Sequence, residues 1–291
     1  MKKVYLLSTS HLEKMLWFLD DEDFRVAMNY VAIQAAKRRE VAVLAFVLMS
    51  NHVHFVLRGT RKDVMAFVNE FKRCYSIYYQ KKYCVCEFLR RNSLDIQEVD
   101  NVEEALEKVI AYVIDNPVAA NICLHPSQYP WGTGNAYFNP QRFSNVRRIK
   151  DYSVRARIMM LHSECDNIPE EWVVDSNGYI LPFNYVDVTI VEKLFKSPKR
   201  MNYFITQSSK AKKRFESSEN VTAFRDQIII SCLPELFRSL FQKTGFKDLS
   251  TNEQSEFAKQ LRFRFNSDPH QIARVCGISY VEAARLLEDY H

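Results

Sequence analysis

Apolar and polar positions switch between two periods along the first ~120 residues, and the switches outline the elements. Lys3 to Ser8 predicts a strand. After the acidic run Asp20-Asp21-Glu22-Asp23, which suits a helix N-terminus, Phe24, Met28, Val31 and Ala35 recur at helical spacing as far as the basic stop Lys37-Arg38-Arg39. Two strands follow, Val41 to Val47 and His52 to Leu57, joined by a turn near Ser50-Asn51. A second helix sets Val64, Phe67, Val68, Phe71, Tyr75 and Tyr78 on one stripe. Phe88 to Val99 predicts a strand, and Glu103 to Ile114 a third helix with Leu106, Val109, Ile110 and Val113 inward, ended by Pro117. The order β-α-β-β-α-β plus a helix predicts an α+β fold, a split-βαβ sheet with helices on one face.

The turn-rich stretch of Pro126, Pro130, Trp131, Gly132 and Gly134, then the basic segment from Asn139 to Arg148, place a domain boundary near 145, dividing 1–145 from 146–291. Trp172 to Ile180 predicts a hairpin turning at Asn177-Gly178, and helical patterning dominates from about Val221 onward. Asp268-Pro269 makes a good N-cap and first-turn pair. Behind it, Ala273, Gly277 and Ala283 have the spacing of a helix-turn-helix within 257–290. A small residue lets two helices touch, glycine permits the turn, and an apolar residue anchors the second helix. The pattern resembles bacterial DNA-binding modules, with the helix from Ser279 entering the major groove and Arg274, Ser279 and Tyr280 near the bases. It also occurs in plain helical hairpins.

With 291 residues, 47% hydrophobic and 26% charged, the chain has room for two globular domains. No apolar run approaches the ~20 residues of a membrane-spanning helix. Seven cysteines, with Cys84 and Cys86 the sole close pair, fit neither a disulfide framework nor a Cys-x-x-Cys zinc site, so a reducing cytoplasm is expected. The net charge of +5 is modest but unevenly spread. Lys196 to Arg214 holds Lys and Arg without one acid, and Arg142 to Arg157 has only Asp151 against its cations. Such runs suit a polyanion, or a solvated linker.

Candidate chemistry centres on His52 and His54. In a strand both face the same way, and two imidazoles side by side want a shared partner: a metal ion, or backbone groups of the core. Tyr112 and Asn116 stand one helical turn apart on the flank of the third helix's apolar stripe. If that helix packs beside the histidine strand, two imidazoles and an amide oxygen could hold Mg or Mn, or the Zn that imidazole also accepts, next to a phenol, a set suited to phosphoryl transfer. Asn116 before Pro117 is equally a common helix end. Tyr75, behind Lys72 and Arg73, is a rival nucleophile, although its place at the centre of an apolar stripe favours packing.

The run Met49-Ser-Asn-His-Val-His-Phe-Val-Leu57, followed by Tyr112-Val-Ile-Asp-Asn-Pro-Val-Ala-Ala120 and Tyr129-Pro-Trp131, resembles the single-tyrosine HUH transposases of the insertion-sequence 200/605 type, particularly the REP-associated tyrosine transposases. The resemblance implies a ferredoxin-like catalytic core with His52, His54 and Asn116 on a divalent metal. It also implies that Tyr112 attacks single-stranded or hairpin DNA to leave a 5′-phosphotyrosyl enzyme and a free 3′-hydroxyl, and it brings a homodimer in many relatives. Ser50 stands where relatives typically have Pro, and Cys84-Val-Cys86-Glu-Phe-Leu-Arg-Arg91 replaces their Gly, Trp and Arg, so Arg90 or Arg91, with Lys72 and Arg73, are the candidates for contact with DNA. A domesticated regulator that binds DNA without cutting it, and a phosphodiesterase in which water attacks, are the alternatives.

Overall fold

The computed structural model describes residues 2–10, 16–86, 88–89, 92–120, 122–139, 145–164, 167–207 and 224–288. Four strands, β1 (Lys3–Thr9), β2 (Ala42–Met49), β3 (His52–Gly59) and β4 (Leu94–Val99), form an antiparallel sheet in the order β2-β3-β1-β4. Helix α1 (Asp21–Lys37) carries the chain from β1 to β2 past the place that β3 fills, and α2 (Arg61–Tyr83) does the same from β3 to β4. This is the split-βαβ arrangement. Asp20 caps α1, its side chain accepting from the Asp23 amide at 2.9 Å.

β2 and β3 are buried along nearly their whole length, so their sequences read as continuous apolar runs rather than as alternation. The burial has two sources. Phe55 packs on Phe67 and Phe71 of α2, with ring centroids 6.0 and 5.5 Å away, whereas His54, pointing oppositely, meets Tyr112 of α3 (Glu103–Ala119) at 5.7 Å. Helices therefore cover both faces, and the expectation of one covered face is corrected. α3 also runs through Pro117 to Ala119. A helical proline leaves the carbonyl four residues back without a donor; here the Asn116 side-chain nitrogen reaches Val113 O at 3.3 Å. β4 begins at Leu94 rather than Phe88, whose ring instead stacks on Tyr79 at 3.7 Å.

The outer edge of β2 is covered. Leu48 N donates to Trp131 O at 2.9 Å and Thr133 N to Phe46 O at 3.0 Å, while Asp187 N donates to Val43 O at 2.8 Å. Gly132 is required in this strap, because a Cβ there would lie 2.8 Å from Phe46 O. Gly132→Ala should destabilise the protein by about 2 kcal/mol, read as a lowered urea midpoint; an unchanged midpoint would refute the close approach.

The boundary expected near 145 does not separate two cores. Ile149, Leu161, Val174, Ile180, Val191 and Ile205 join the cluster of buried residues built on the sheet. This stretch carries β5 (Arg147–Arg148), α4 (Val154–Leu161), β6 (Val173–Val174), α5 (Val188–Phe195) and α6 (Pro198–Thr206). The expected hairpin is reduced to a bridge between Val174 and Ile180 around Gly178 at φ +85°, and β6 pairs with β5. Some of its basic residues are ion-paired, among them Lys150 with Glu171 at 2.6 Å and Arg200 with the buried Glu107.

A second core, from Ile229 to Leu286, is built by α7 (Asp226–Phe241), α8 (Thr251–Phe265), α9 (Pro269–Cys276) and α10 (Tyr280–Glu288). Ala273 and Ala283 are buried, and Gly277 at φ +70° ends α9. Three consecutive residues fasten this unit. Arg225 pairs with Asp21 at 3.0 Å, Asp226 accepts from Arg274 Nε and Gln271 Nε2 at 2.8 Å each, and Gln227 Nε2 donates to Phe18 O at 2.8 Å. Among the described residues, no helix is long and apolar enough to cross a membrane.

Candidate active site

His52 opens β3 directly after the two-residue turn Ser50-Asn51, and both histidines are buried, 7% and 4% exposed. Their rings stand 4.8 Å apart at 85°. Asn51 Oδ1 lies 2.8 Å from His52 Nδ1; an amide oxygen only accepts, so Nδ1 carries the proton and Nε2 presents the lone pair. Ser8 Oγ, across the β1–β3 register, lies 2.7 Å from His54 Nδ1. Partners on Nδ1 fix ring orientation and direct ligation to Nε2.

Tyr112 projects from the middle of α3, 39% exposed, its ring nearly perpendicular to that of His54 at 73°. Partial burial pushes the phenol above its ordinary pKa of 10, so it stays protonated at neutral pH unless a cation stands beside it. Asn116 turns its amide nitrogen back onto its own helix, 2.8 Å from Tyr112 O, which leaves the oxygen as the amide's outward acceptor. Asn116 is thus inside the helix rather than its cap. Among the described residues, no three or more His, Cys, Asp or Glu gather to hold an ion; the donor set here is two imidazoles and one amide. Such a set, with positions left for a phosphate oxygen, is one that a divalent cation fits.

His52, His54, Tyr112 and Asn116 share one cavity of about 570 Å³, whose opposite side is formed by Asp268, His270, Arg274 and Tyr280. A second cavity, about 620 Å³, lies between α3 and α6 and shares Tyr112 and Asn116 with the first; Lys108, Arg200 and the exposed Tyr203 line it.

The remaining candidates fall elsewhere. Lys72 is buried and donates to Asn92 O, and burial lowers its pKa. Arg73 is forked onto Glu70 at 2.8 and 2.7 Å on the exposed side of α2, which packs on the sheet face opposite Tyr112. Arg90 and Arg91 lie outside the described residues. Arg274, expected to contact DNA, pairs with the buried Asp226 at 2.8 Å and lines the same cavity as the histidines. Ser279 caps α10, accepting from Glu282 N at 3.2 Å. Tyr280 lines the same cavity as His52, His54 and Tyr112. Tyr75 is fully buried among Trp17, Phe71 and Tyr78, its hydroxyl donating to Trp17 O, and burial, with Asp23 nearby, raises its pKa well above the ordinary value. Sequence reasoning missed Ser8, His270 and Tyr203. Strand register alone brings Ser8 to His54, and no local pattern signals the other two.

Residues 17–115 match the family described as Transposase IS200 like, a span that contains both histidines and Tyr112 and stops one residue short of Asn116. No curated protein matches the chain. A solved structure of a REP-associated tyrosine transposase bound to a REP hairpin is 11% identical, with a TM-score of 0.35, covering 46% of this chain and 78% of that one. The segment from 17 to 115 is thus similar to IS200-like transposases.

Proposed function

We propose that the protein is a metal-dependent single-tyrosine transposase that cuts and rejoins single-stranded or hairpin DNA. The observation that carries this reading is the Tyr112 ring 5.7 Å from His54, on the rim of a cavity that also holds His52 and Asn116. The Tyr112 oxygen attacks a backbone phosphorus; the P–O3′ bond breaks, the 3′-oxygen leaves and takes up a proton, and the 5′-phosphate stays on the tyrosine. Attack by a 3′-hydroxyl reverses the step and joins strands. His52, His54 and Asn116 would hold Mg or Mn, which when bound polarises the phosphate and stabilises the phenolate. Asn51 and Ser8 keep the two rings oriented. The cavity between α3 and α6, with Lys108, Arg200 and Tyr203, gives the strand a path on one side of Tyr112. The helices from α7 onward form the accessory DNA-facing unit, and the 1–145 segment expected to be catalytic extends to about residue 205 by its packing.

Incubating the protein with a hairpin oligonucleotide and Mg or Mn should give a covalent species on a denaturing gel, lost on chelation. His52→Ala and His54→Ala should each slow its formation at least about a hundredfold. Strand cleavage that leaves no protein-linked DNA would instead mean attack by water.

A further inference from the structure

We infer that the C-terminal helices form one wall of the reaction cleft, where His270 and Tyr280 hold by ring stacking the base beside the phosphate that Tyr112 attacks. The inference rests on the phosphotyrosine reading above. His270 at the start of α9 and Tyr280 at the start of α10 are both exposed, and their rings stack at 4.1 Å and 22°. They line the same cavity as His52, His54 and Tyr112, whose volume of about 570 Å³ lies within the range of about 300–1,000 Å³ typical of small-ligand sites.

Charge decides which part of a nucleotide fits this wall. Arg274 spends its guanidinium on Asp226, and the Asp268 carboxylate, which accepts from Gln271 N at 2.7 Å, stands on the same side. A phosphate would be repelled there, whereas a base can extend a near-parallel pair of rings. The phosphate then falls on the histidine side of the cleft. The wall is held in place by Gln227, bonded to Phe18 O at 2.8 Å and to Ser50 Oγ at 3.4 Å, two residues before His52. In this position Tyr280 looks into the cleft, so the α10 end expected to enter a major groove reads the cleaved strand instead.

The test uses a hairpin oligonucleotide with 2-aminopurine placed in turn at each unpaired position, bound with Mg to full-length Tyr112→Phe protein, which cannot cleave it. One position should be quenched. Adding His270→Ala and Tyr280→Ala together should abolish that quench and weaken binding about tenfold, while Tyr280→Phe, which keeps the ring, should retain it. Equal quenching in the double replacement, or quenching at no position, would overturn the proposal. So would faster adduct formation by His270→Ala/Tyr280→Ala in the Tyr112-containing protein, because the wall would then be an obstruction. The quench is read without chemistry, so failure of the parent protein to form an adduct would sink the phosphotyrosine reading separately.

Discussion

Tyr112→Phe should leave a protein that melts as the parent does and still binds hairpin DNA, but forms no covalent adduct at any time point. The hydroxyl removed is the only atom that changes, and at 39% exposure its loss costs the fold little. The phenylalanine ring keeps its place against His54. Tyr75→Phe gives the opposite pattern. It deletes a fully buried hydroxyl and leaves Trp17 O without its donor, so stability should fall by about 1 kcal/mol while the adduct persists. Mass spectrometry of the digested adduct would place the nucleotide on one tyrosine; a label on Tyr75, or an adduct surviving Tyr112→Phe, would overturn the assignment.

Asp226→Ala should destabilise the C-terminal unit by on the order of 3 kcal/mol. One carboxylate, 1% exposed, holds Arg274 and Gln271 on α9 from the first turn of α7, where the helix dipole also favours negative charge. Its removal leaves a largely buried guanidinium without that counter-charge and takes one of the two acceptors of the Gln271 amide, which also donates to Phe224 O at 2.6 Å. Hydrogen exchange should show lost protection in α9 and α10, with β1 to β3 unaffected. Equal loss in the sheet would show that the two cores unfold as one.

The parts of the site that local pattern can fix were legible in the sequence. Strand alternation put His52 and His54 on one face, and helical spacing put Tyr112 and Asn116 on one flank. Covering both sheet faces was harder to read, because a strand buried on two sides loses its alternation and the number of layers is then set by distant segments. The misplaced boundary has a similar origin. Pro126 to Gly134 has a turn's composition, yet it forms the strap on β2, where Gly132 serves a close approach rather than a linker. Arg274 shows a related limit: a cation before a recognition-helix pattern looks available in the sequence, whereas the fold pairs it with Asp226, far back in the chain. His270 gave no local signal at all, since its meaning arises only from docking.

The strap on β2 also limits how copies of this chain could assemble. With Trp131, Thr133 and Asp187 bonded to that strand, a second sheet has no row of amides to continue there. The opposite border, β4, presents Asp95, Gln97 and Glu98 outward, with Lys3 paired to Glu98 beside it. Charges on a border strand resist edge-to-edge growth, and among the described residues no strand is added beyond it. Two protomers that share a DNA substrate would have to meet through helices, or be joined by the DNA itself.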